Sequence, residues 1–69
     1  MTYELLDVVA AATDLPAFGV KVGDVGTVVE VHGAEAYEVE FCNDRGETLA
    51  MLAMSGADLR PARPVRQAA

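Results

Sequence analysis

At 69 residues the chain has room for one domain, and only about 60% of its unfolded surface can be buried on folding, so stability rests on a small core. Apolar residues make up 52% of it, enough to fold; the single cysteine, Cys42, excludes an internal disulfide and points to a reducing compartment. The net charge is −6, and residues 1–59 hold all 11 acidic side chains against only Lys21 and Arg45, a balance that sets the body of the protein against phosphate backbones.

The N-terminus carries Glu4 and Asp7 where an export signal carries Lys or Arg. Its longest apolar run, residues 8–12, is far short of the roughly 20 residues of a membrane span. A cytoplasmic protein with no membrane association is expected. The continuous apolar residues of "LLDVVAAATDL" fit a strand or a short helix, with the valines favouring strand and the alanines helix. Pro16 and Gly19 interrupt the chain soon afterwards, so a short first strand followed by a loop is the better reading.

The stretch "GVKVGDVGTVVEVHG" turns at Gly23-Asp24 into a second strand, about residues 25–32, rich in β-branched side chains. Gly26 inside that strand marks a close backbone approach and a strong bend, and the valines are expected to serve the core. "HGAEA" is a short hairpin connection to "AYEVEFC", which alternates strictly. Tyr37, Val39 and Phe41 point to the core, and Glu38, Glu40 and Cys42 to water.

"NDRG" follows, with Gly46 at the left-handed position that closes a type I turn and bulge. Counting back from that turn pairs Tyr37, Val39 and Phe41 with Leu52, Ala50 and Thr48, all facing inward. The other face of the return strand carries Leu49, Met51 and Ala53 and is apolar too. "SGADLRP" reads as a turn, with a 3-10 segment ahead of Pro61, and "ARPVRQAA" as a last short edge strand limited by Pro64. The sum is an all-β domain: five short strands in a small, partly open barrel, with its core over residues 5–64 and the last five residues frayed.

"GDVGTVVEV", "YEVEF" and "LRP" together resemble the SH3-like barrel pattern, found also in small electron-transport accessory subunits of photosynthetic membranes. The chain is more closely similar, from Leu5 to Pro61, to small bacterial proteins grouped as domain of unknown function 4926. The resemblance implies an SH3-like fold and brings no established activity or catalytic residue. It is compatible with an antitoxin- or immunity-type, or accessory, member of a two-protein pair. Cys42, Asn43 and the "MLAM" run depart from that pattern.

Sites of other kinds are poorly supplied. A phosphate cradle needs glycines opening a helix, whereas these lead into a strand and the lone lysine precedes them. RNA-binding barrels of the ribosomal type are the alternative function, but they use basic loops and exposed aromatics; here only Arg60, Arg63 and Arg66 near the C-terminus would serve. Met1, Cys42, Met51, Met54 and His32 are soft ligands, yet the sulfurs of Met51 and Met54, three apart on a strand, diverge. Neither a metal nor another cofactor is expected. One histidine, one cysteine and one serine give little material for catalysis, and a barrel this small is filled by its own side chains. A non-catalytic protein-binding module remains. Leu49 and Met51 are its apolar centre and Glu38, Glu40 and Glu30 its acidic rim. The expected partner is a protein of basic or mixed surface, with a homo-oligomer through residues 48–54 as another possibility and nucleic acid disfavoured.

Overall fold

The computed structural model describes residues 2–62. Five antiparallel strands form one sheet: β1 (Val8–Ala11), β2 (Val25–Gly33), β3 (Ala36–Cys42), β4 (Thr48–Ser55) and β5 (Leu59–Pro61). Short 3-10 turns occupy Pro16–Phe18 and Gly56–Asp58. The spatial order β4-β3-β2-β1-β5 leaves β4 and β5 as the edges among the described residues, so the sheet coils into a small, open SH3-like barrel without closing.

The core lies in the concavity of this sheet. Val9, Val28, Val39, Phe41 and Tyr37 are fully buried there, joined by Val20, Leu52, Met54 and Leu59. Strict alternation on β3 therefore does what its sequence promises. Gly26 lets the sheet bend sharply across β3, since a Cβ on it would come within 2.8 Å of Val39 Cγ1 and 2.9 Å of the Glu40 carbonyl oxygen. The valines serve the core less than expected: Val20 and Val28 are buried, while Val22, Val25 and Val31 are exposed. One-residue shifts in the β2–β3 ladder, at Val29 and His32, twist the far end of β2 away from the core.

The turn after Cys42 has the expected chemistry. Gly46 has φ +79° and its N–H donates to the Asn43 carbonyl, while Asn43 Oδ1 accepts from the N–H groups of Arg45 and Glu47. The register beyond it differs from the simple count. Tyr37, Val39 and Phe41 pair with Met54, Leu52 and Ala50, not with Leu52, Ala50 and Thr48. Gly46 adds one residue to the loop and a bulge at Leu49 adds another. The two insertions together restore parity, so Ala50 and Leu52 still face inward. Thr48 does not: lying before the bulge, it is exposed and bonded to the Glu40 carboxylate on the outer side.

Two features at the ends depart from expectation. "LRP" is itself the fifth strand, pairing with β1 through Val9–Pro61, Ala10–Arg60 and Ala11–Leu59, whereas the strand expected in "ARPVRQAA" falls almost wholly outside the described residues. At the other end, Tyr3 is buried and stacks edge-on against Tyr37 at 5.4 Å, which extends the core beyond residue 5. Its N–H donates to the Tyr37 hydroxyl (3.0 Å), which in turn donates to the Ala34 carbonyl (3.1 Å). Burial, with smaller effects from Tyr37 and the charges of Glu35 and Asp7, pushes the Tyr3 phenol above its ordinary pKa.

Candidate functional site

Cross-strand pairing builds the outer face of β2, β3 and β4 in rows. One row runs Thr27–Glu40–Met51 and the next Glu30–Glu38–Ala53. The sequence-expected residues Met51, Glu38, Glu40 and Glu30 are thus brought together on one side of the sheet. Met51 is 54% exposed, Ala53 and Glu30 are exposed, and Glu38 and Glu40 are half-buried between them. Leu49 is equally open but belongs elsewhere. The bulge takes it out of the alternation, and it lines a shallow cleft with Val25, Phe41, Cys42 and Asp44.

Two of the carboxylates on this face have side-chain hydrogen-bond partners. His32 Nε2 lies 2.9 Å from Glu38 Oε1, and Thr48 donates its hydroxyl to Glu40. Glu30 and Glu38 are direct cross-strand partners, an opposition of like charges that weakens a sheet. An exposed methionine beside three carboxylates can take up an apolar side chain while the rim meets cations.

The N-terminal segment, a possible cover for this face, is engaged elsewhere. Tyr3 sits on Tyr37, and the N–H of Leu6 donates to the Val28 carbonyl at 2.7 Å. The side chains with chemical potential are also dispersed. Cys42 is exposed, His32 is tied to Glu38, and the Ser55 hydroxyl accepts from the Ala57 N–H at the start of the second 3-10 turn. Met54 is buried and Met51 exposed, so the two sulfurs do face apart. Among the described residues no three His, Cys, Asp or Glu side chains are grouped to hold a metal, and no helix is long and apolar enough to cross a membrane.

A second apolar exposure escaped the sequence reading. Leu6 is 69% exposed at φ +73°, in a turn where the Glu4 N–H donates to Asp7 Oδ2 and Leu5 is exposed beside it. Phe18 is exposed at the end of the first 3-10 turn. No periodicity marks such isolated positions, and the only available signal was Leu-Leu preceding an acidic turn residue.

Comparison with known proteins adds one finding. A family model described as Domain of unknown function (DUF4926) matches residues 5–61, which is most of the chain and the whole of the sheet. No curated protein and no solved structure matches it.

Proposed function

We propose that this chain, which belongs to the DUF4926 family, is a non-catalytic module that binds another protein through the outer face of β3 and β4. The observation that carries the reading is the exposed Met51 directly opposite Glu40, with Glu30 set against Glu38 in the next row. Opposed carboxylates cost up to about 1 kcal/mol relative to a neutral pair, and a solvated methionine adds nothing to the core. A face kept in that state suits a partner that brings an apolar side chain ringed by Lys or Arg. Rigid strands hold the groups, so little ordering is needed on binding. An antitoxin- or immunity-type role in a two-protein pair is one form of this reading. The proposed compartment is the cytoplasm, where an exposed unpaired Cys42 stays reduced.

The test starts from the protein that co-purifies stoichiometrically from the native cell, identified by mass spectrometry. Its association with the purified chain is then timed over a salt series. Carboxylates that steer a basic surface should make Glu38→Lys with Glu40→Lys slow association about tenfold or more and flatten its dependence on salt. An unchanged rate and an unchanged salt slope would remove the acidic rim from the interface.

A further inference from the structure

We propose that the free edge of β4 pairs antiparallel with β4 of a second copy of this chain, about a two-fold axis passing through Leu52. The inference goes beyond the binding face described above, because it rests on the main chain of the edge and on the order of residues along it.

Among the described residues the two edges of the sheet are unpaired and built differently. β5 is three residues long and carries Arg60 and Pro61, both of which discourage strand addition. β4 is eight residues long, "TLAMLAMS", with no charged residue and no proline. The bulge at Leu49 interrupts its first residues, and residues 50–55 beyond it keep a regular, uncharged edge that can template another strand.

Hydrogen bonding fixes which groups the edge offers. The Gly56 N–H donates to the Glu35 carbonyl at 2.9 Å, one step along the ladder from the Ala36–Ser55 pair. In an antiparallel ladder the residues that bond to a neighbour alternate with those that face away. Ala50, Leu52 and Met54 therefore bond to β3, and Met51 and Ala53 turn their N–H and C=O groups to the open side.

The register follows from side-chain size. With the axis at Leu52, Met51 lies opposite the second copy's Ala53, Ala50 opposite its Met54, and Leu52 opposite itself. Every methionine meets an alanine, on both faces of the sheet. The Met51–Ala53 pairs, one on each side of the axis, are the ones whose main-chain groups are free to exchange bonds. Moving the axis to Met51 sets two methionines against each other, and moving it to Ala53 sets Leu52 against Met54.

The paired stretch itself carries no charge. Glu47 lies before Thr48, outside the strand, and Glu38 and Glu40 stand one strand back, so the Glu38 and Glu40 carboxylates of the two copies are about 14 Å apart across three strand spacings. That exceeds the screening length of about 8 Å at physiological salt. A single edge contact falls short of the roughly 1,200 Å² of a standard interface, so the dimer is weak and depends on concentration.

Sedimentation equilibrium of the full chain over a wide concentration range tests this. A monomer–dimer equilibrium is expected, with association reduced about tenfold or more by Ala53→Pro, which removes an outward N–H and no bond to β3. Ala53→Lys, which leaves the backbone intact, should do the same should the proline variant not fold. Cross-linking tests the register on a Cys42→Ser background: Met51→Cys mixed with Ala53→Cys should give the mixed disulfide in excess over either homodimer. A chain that stays monomeric to about 1 mM, a dimer indifferent to both Ala53 variants, or a predominance of homodimer cross-links would each overturn the proposal. So would a monomer whose Ala53→Pro variant loses a different protein, since the edge would then take a foreign strand.

Discussion

Tyr37 carries more of this fold than its place in an alternating strand suggests. Its ring is buried against Tyr3, and its hydroxyl joins the N-terminal segment to the β2–β3 hairpin by accepting from Tyr3 N–H and donating to the Ala34 carbonyl. Removing that oxygen takes away the acceptor of the Tyr3 N–H and the donor to Ala34, a loss of about 1–3 kcal/mol. Tyr37→Phe is expected to lower stability by that amount in a urea melt and to speed amide exchange in residues 3–6, with β4 unaffected. A melt and exchange pattern equal to wild type would mean that the N-terminal segment is not anchored there. The sequence showed that Tyr37 points inward but not what its hydroxyl does. Its partner lies 34 residues away and Tyr3 sits in no periodic pattern.

At the scale of elements, glycines and bulges decide the geometry. Gly26 and Gly46 are required for opposite reasons. Gly26 lacks room for a Cβ, whereas Gly46 has open space around it and an unfavourable φ of +79°. Gly26→Ala must push on Val39 and the β3 main chain, at about 1–3 kcal/mol. Gly46→Ala costs about 1 kcal/mol from backbone strain alone, and Gly46→Asn less, because asparagine tolerates the left-handed region. Thermal melts of the three variants should therefore rank Gly26→Ala lowest and Gly46→Asn highest, and equal melting points for Gly46→Ala and Gly46→Asn would contradict the turn. The same elements show what was legible in advance. "AYEVEFC" and "NDRG" announced their strand and turn through alternation and turn chemistry. The bulge at Leu49 leaves no such mark, and only its sum with the extra residue at Gly46 kept Ala50 and Leu52 inward. Thr48, just before that bulge, and Leu49 within it were accordingly misplaced. β5 was missed because three residues ending in proline show no period at all.

Across the whole molecule the small core leaves little stability in reserve, about 3–10 kcal/mol for a chain of this length. Met51, exposed on a regular stretch of strand beside opposed carboxylates, adds nothing to that reserve. The grouping of Met51, Glu38, Glu40 and Glu30 was legible because alternation and parity survived. The removal of Leu49 from the group was not, since it depends on where one bulge falls. The central claim is that this outer face is an interface and adds nothing to the core. Its most direct test is the affinity of the co-purified partner for Met51→Glu, measured by calorimetry at concentrations where the chain is monomeric, with folding followed by circular dichroism. The account predicts a melting curve within about 0.5 kcal/mol of wild type and an affinity at least about thirtyfold lower, the loss expected when a charge enters an apolar contact centre. Wild-type affinity in a folded Met51→Glu protein, or a variant that unfolds, would contradict it.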